Sequence, residues 1–220
     1  FAPKDGPPPA KSGPRGNPDV NFKKHKRSNA THASTTDGDA RLATKSGKGD
    51  TIPAFMGHVL MDNRSKLALD TRLTIASGTA EREAAIGMLS KLGGAKRKTV
   101  GAVKGYDKAD FVAACRANNI TPHVARNIYE YTTNSGTRVR HEGAIDERTT
   151  RHPGYKVSQV VRKVIETLFG DAKQHGATIR QVKLRGTDKV GDVFTIAMLA
   201  VNLRRLPKLF ATQGDMVGVG

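Results

Sequence analysis

The run Phe55 to Met61 is apolar enough for a buried strand, and Leu67 to Ile75 alternates apolar and polar positions. Between them Asp62-Asn63-Arg64-Ser65 supplies turn residues, so the two segments predict an antiparallel hairpin. Thr79 can cap a helix through Leu89, with Glu81 and Glu83 in its first turn and Gly93-Gly94 beyond its end. Thr99 to Val103 reads as a short buried strand. A second helix opens at Asp107 or Lys108, where Asp107 would act as a cap, runs through Cys115 and Ala117, and stops at Asn118-Asn119. Ile120 to Val124 is a further strand, and residues 126–153 are polar and irregular. Tyr155 to Lys173 predicts one long helix, because Val157, Val161, Val164, Ile165, Leu168 and Ala172 recur at helical spacing. A last amphipathic helix covers Val193 to Leu206 and is ended by Pro207.

Residues 1–50 have another texture. They are rich in Pro, Gly, Ser, Thr, Asn and Lys, lack apolar periodicity, and predict an extended arm ahead of a globular unit over 51–220. The cluster Lys23-Lys24-His25-Lys26-Arg27 lies in this arm. It is either a solvated charge run or a strap that grips phosphates. Charge sharpens the choice. The 220 residues hold 37 Lys and Arg against 20 Asp and Glu, a formal net charge of +17, which points to nucleic acid before anionic membrane. No apolar run is long enough for a membrane helix. The single cysteine, Cys115, excludes an intrachain disulfide and a cysteine-based zinc site, and leans towards a reducing cytosol. The first residues lack the apolar stretch of a signal peptide, and a chain opening on Phe1 reads as a piece of a longer reading frame.

Several segments carry a family resemblance through their order and spacing. They are Lys26-Arg27-Ser28-Asn29-Ala30-Thr31-His32, Ser34-Thr35-Thr36-Asp37 with Asp39-Ala40-Arg41-Leu42, and Gly57-His58-Val59-Leu60-Met61. Gly78-Thr79-Ala80-Glu81-Arg82-Glu83-Ala84-Ala85, Lys104-Gly105-Tyr106-Asp107 and Thr149-Thr150-Arg151-His152-Pro153-Gly154-Tyr155 follow. Asn202-Leu203 and Arg205-Leu206-Pro207-Lys208-Leu209 close the set. Together they resemble the insertion-sequence-five group of DDE transposases over nearly the whole chain.

The resemblance implies an α/β, ribonuclease-H-like mixed sheet with helices on its faces. It also implies that the first, central strand is missing, which should leave either a gap between the hairpin and the strand ending at Val103 or a substitute strand drawn from the arm. The implied activity is Mg²⁺-dependent DNA cleavage and strand transfer, in which three carboxylates hold two ions that stabilise the attacking and leaving oxygens together. Carried across, the first acid would lie upstream of Phe1, the second position is Val103, and the third acid and metal ligand is Glu166. Glu166 stands in the pattern Arg162, Glu166, Lys173, whose tyrosine slot is Gln159 with Tyr155 one turn away. One acid of three implies a copy without catalysis. The expected DNA contacts are Lys23, Lys24, Lys26, Arg27, Arg162, Lys163 and Lys173, in a bacterial cytosolic, nucleoid-associated protein with room for a homo-oligomer.

The rival reading is a basic nucleic-acid-binding protein that is no enzyme. From helical spacing alone, Glu166 would be an ordinary surface acid in an ion pair. His58, His123, His141, His152 and His175 have no metal-ligand spacing and read as structural or DNA-facing. Asp37-Gly38-Asp39 reads as a turn.

Overall fold

The computed structural model describes residues 2–4, 28–44, 51–92, 94–174 and 178–217. Lys23, Lys24, Lys26, Arg27, Gly93 and His175 lie outside the described residues. The strands are β1 (Ala2–Pro3), β2 (His32–Ala33), β3 (Arg41–Thr44), β4 (Thr51–Met61), β5 (Ala68–Ile75), β6 (Lys98–Ala102), β7 (Ile120–Val124), β8 (Tyr129–Thr132) and β9 (Arg138–His141). The α-helices are α1 (Ala80–Leu89), α2 (Ala109–Ala117), α3 (Glu147–Arg151), α4 (Pro153–Val161), α5 (Ile165–Gln174) and α6 (Thr187–Val217).

The hairpin forms as its alternation predicts. Phe55 pairs with Ile75 and Met61 with Ala68, around a turn that Asp62 Oδ2 closes by accepting from Ser65 N at 2.8 Å and Ser65 Oγ at 2.6 Å. Period-2 geometry sends neighbouring side chains of a strand to opposite faces. Leu60 accordingly packs against the core of Leu89, Phe111, Val112, Cys115, Ile120, Val124 and Ile145. Val59 and Met61 pack against the second core of Leu168, Ala172, Phe194, Ala197, Met198 and Val201. The sheet thus lies between α1 and α2 on one side and α5 and α6 on the other. β6 and β7 are parallel, from Lys98 opposite Ile120 to Ala102 opposite Val124, and α2 is their crossover. Gly57 lets α6 close onto β4, since a Cβ there would lie 2.7 Å from the Phe194 ring.

Several expectations are corrected. The arm is not wholly extended coil: β3 pairs antiparallel with the first part of β4, Arg41 opposite Ala54 and Thr44 opposite Thr51. Residues 126–153 are not irregular throughout, because β8 and β9 form a hairpin there and α3 follows. The long helix is two, α4 and α5, joined by a 3₁₀ turn at Arg162–Val164. Three residues at about 120° each instead of about 100° shift the helical phase. The apolar stripe therefore fails in α4, where Val157 is 61% exposed, and holds in α5, where Leu168 and Ala172 are buried. Pro207 does not end the last helix, which runs from Thr187 to Val217 with the proline inside. The bond lost to proline is the one to the Leu203 carbonyl, a single bond in a helix of 31 residues.

Asp37 and Asp39 do form a turn, with Asp37 Oδ1 accepting from Asp39 N at 3.0 Å. They also reach the far end of the chain. Asp39 Oδ2 accepts from Thr187 N at 2.9 Å and Thr187 Oγ1 at 2.8 Å, and Asp37 Oδ2 from Gly186 N at 3.1 Å. The arm thereby caps α6. Those bonds hold the Asp39 carboxyl below its ordinary value.

Two buried histidines set an acid limit on the fold. His58 Nε2 pairs with Thr74 Oγ1 and His123 Nδ1 with Ser158 Oγ, each at 2.7 Å. Burial is the main cause that lowers both pKa values, so each is kept neutral. The unfolded chain then binds more protons. The stability they contribute is complete above the unfolded value of 6.5 and is lost as pH falls through their folded values. The melting temperature is expected to drop between pH 7 and pH 5, and the drop to shrink in a His58→Gln, His123→Gln variant. An identical pH profile in that variant would remove this account.

Candidate active site

β4 carries β5 on one edge and β3 on the other, but β3 reaches only as far as Ala54. From Phe55 to Met61 that second edge has no described partner strand. β6 bonds only β7. The two open edges face a common cavity of about 580 Å³, lined by Gly57–Met61 and by Lys98–Ala102. This is the gap expected of a sheet whose central strand is missing among the described residues. Leu89, Phe111 and Phe169 also line it.

The candidate site residues meet in this cavity. Val103, Arg162, Lys163 and Glu166 all line it. Val103 follows β6 directly, is extended, and is 43% exposed. Glu166 stands in the first turn of α5, just past the 3₁₀ turn that contains Arg162 and Lys163. Lys173 is also exposed, in the last turn of α5, and does not line the cavity. Arg162 turns its Nε to Gln159 Oε1 at 3.0 Å.

The approach of α4 and α5 to β6 is built from small contacts. Gly101 has no side chain to hold them off: a Cβ there would lie 3.2 Å from Arg162 Cβ and 3.3 Å from the Ser158 carbonyl oxygen. Gln159 Nε2 donates to the His123 carbonyl at 2.6 Å, and Tyr155 Oη to the Val124 carbonyl at 2.9 Å. Ser158 closes on His123 as described. These bonds tie α4 to the end of β7 and bring Arg162 against β6 at Gly101. The sequence marks Tyr155 and Gln159 through the resemblance alone; Gly101, His123 and Ser158 carry no local signal for this docking role.

Two other carboxylates border the cavity, and both have partners. Glu81 Oε1 accepts from Tyr106 Oη at 2.9 Å, and Asp62 is engaged by Ser65. Burial, with Glu81 beside it, pushes the Tyr106 phenol far up, so it stays a donor. The Ser65 hydroxyl and amide hold Asp62 below its usual range. Asp107 lies elsewhere. It does not cap α2, whose N-cap is Lys108; instead its buried carboxylate accepts three backbone N–H bonds from the insert.

A pair of Mg²⁺ ions needs several hard oxygen ligands. Among the described residues that line the cavity, Val103 offers an isopropyl group, Glu81 and Asp62 are engaged, and Glu166 is the remaining acid. Among the described residues no group of three or more His, Cys, Asp or Glu side chains could hold a metal ion. The residues present do not fit two ions.

No helix among the described residues is long and apolar enough to cross a membrane. No curated protein and no solved structure matches the chain. The family described as transposase DDE domain matches residues 23–203, which include both open strand edges, Val103 and the whole of α4 and α5. The chain belongs to the transposase DDE domain family.

Proposed function

We propose that the cavity between β4 and β6 is the strand-transfer site of an insertion-sequence-five type transposase, and that this copy has lost its chemistry. The observation that carries the reading is that Val103 and Glu166, far apart in sequence, line one cavity together with Arg162 and Lys163. In this reading Glu166 is the third acid, and Val103 replaces the second. The first would ride on a further strand between the open edges of β4 and β6. Arg162, Lys163 and Lys173, with Lys23, Lys24, Lys26 and Arg27 of the arm, bind phosphates of transposon ends and target. An isopropyl group cannot ligate Mg²⁺, so the two-metal stabilisation of attacking and leaving oxygens is lost. The protein then keeps DNA binding without cleavage. The same Val103, with the net charge of +17, favours the second reading, a basic nucleic-acid-binding protein put to a non-enzymatic use.

Supercoiled DNA with Mg²⁺ tests this. The chain is expected to retard DNA in a gel, with a steep loss of binding as salt rises, and to leave it un-nicked. Nicking by the unaltered chain that disappears in Glu166→Gln would overturn the loss of catalysis and leave Glu166 in its role. Nicking that survives Glu166→Gln, or no DNA binding at all, would sink the site assignment. A chain extended upstream to bring the first acid, with Val103→Asp returning the second, is the variant in which Mg²⁺-dependent nicking would reappear.

A further inference from the structure

α6 has two apolar faces. One is spent on the core: Val190, Phe194, Ala197, Met198 and Val201 are buried. The other is open. Ile196 is 64% exposed, Leu199 54%, Leu203 57% and Phe210 65%, and Pro207 among them is exposed too. At about 100° per residue these five fall within an arc of about 80°, on the side opposite the buried set. Their steps of three and four residues are those of a helix-pairing seam. A helix that is apolar on both sides is normally covered on both.

We propose that this outer face of α6 is a contact between two copies of the chain, packed antiparallel about Leu203. The stripe itself selects the occupant. Ile196 and Phe210 stand seven residues to either side of Leu203, and Leu199 and Pro207 four residues to either side. A two-fold axis at Leu203 therefore sets Ile196 against the partner's Phe210 and Leu199 against the partner's Pro207. One patch serves both copies, as an isologous contact requires. With on the order of 100 Å² exposed on each large side chain, pairing removes about 1,000 Å² from water over two copies, the lower bound for a specific interface. The contact lies away from α5 and from the cavity at β4 and β6, and it is independent of any DNA chemistry. Two chains of charge +17 repel each other, so the pairing strengthens with added salt.

Cysteine cross-linking reads the geometry directly, because the native Cys115 is buried. Leu203→Cys places two thiols face to face across the axis and is expected to give a covalent dimer on mild oxidation. Ile196→Cys places them about 20 Å apart, far beyond disulfide reach, and should cross-link at least tenfold more slowly. Mixed Ile196→Cys and Phe210→Cys chains should join to each other. Adding Ile196→Glu to Leu203→Cys should slow its cross-linking by a similar factor. All these positions are exposed, so the fold is not at stake. Cross-linking of Leu203→Cys no faster than that of Ile196→Cys, or a monomer by sedimentation at moderate salt, overturns the proposal.

Discussion

Asp107→Ala is expected to unfold most of the molecule at room temperature. The side chain is 1% exposed and accepts three backbone bonds. Oδ1 takes Ala144 N at 2.7 Å and Ile145 N at 2.8 Å, and Oδ2 takes Asn127 N at 2.7 Å. The carboxylate thus pins both ends of the segment that carries β8 and β9 to the turn after β6. Removing it strands the buried Ile145 N–H and takes the acceptor from two part-buried ones, at roughly 1–3 kcal/mol each. That sum is comparable with a whole domain's stability of about 5–15 kcal/mol. Gly143 shows how tightly the pocket is drawn: its φ is +72°, and a Cβ there would overlap the carboxylate. Asp107→Asn keeps one accepting oxygen and should lose less. Denaturant midpoints of the three proteins check the order, with hydrogen exchange over 126–146 as the local readout. An alanine variant within about 1 kcal/mol of the parent would mean that water replaces the carboxylate.

The second large effect concerns the open edges. With the cavity unfilled, the backbone groups of β4 from Phe55 to Met61 and of β6 that point into it have no described strand to bond. Unpaired edges recruit other chains, and the apolar walls offer a place for a hydrophobic dye. The chain alone is expected to bind anilinonaphthalene sulfonate, to melt over a broad range, and to aggregate as its concentration rises. Within β4 and β6, amides facing β5 and β7 should exchange slowly, and their neighbours facing the cavity at least a hundredfold faster. A sharp melt without dye binding, and even protection along both strands, would show that the edges are paired.

Much of the fold was legible because it is local. The hairpin, α1, α2 and the parallel strands each announce themselves through alternation, caps or stop residues. Even there the agents differ in detail: Thr79 is the N-cap of α1 without a side-chain bond, while Ser77 Oγ accepts from Ala80 N at 3.0 Å. The hairpin of β8 and β9 is weakly marked in sequence because Tyr129-Glu130-Tyr131-Thr132 and Arg138-Val139-Arg140-His141 are mostly polar. Their alternation and the intervening Asn134-Ser135-Gly136 were the available signal. The 3₁₀ turn at Arg162 had none, since the apolar spacing runs through it. The pairing of Val103 with Glu166 could not come from either segment's own pattern. Only the family pattern named both, and only the docking of α4 against β6 and β7 places them at one cavity.

Asp39 and Thr187 are 148 positions apart, yet they close the chain on itself. The described segment 28–44 is therefore not a detachable leash. A version begun at Thr51 would bring with it a headless last helix and a β4 stripped of its first partner. A shorter version that keeps this closure starts ahead of Asp37. The short Asp-Gly-Asp clasp must change in step with a helix at the other end of the gene.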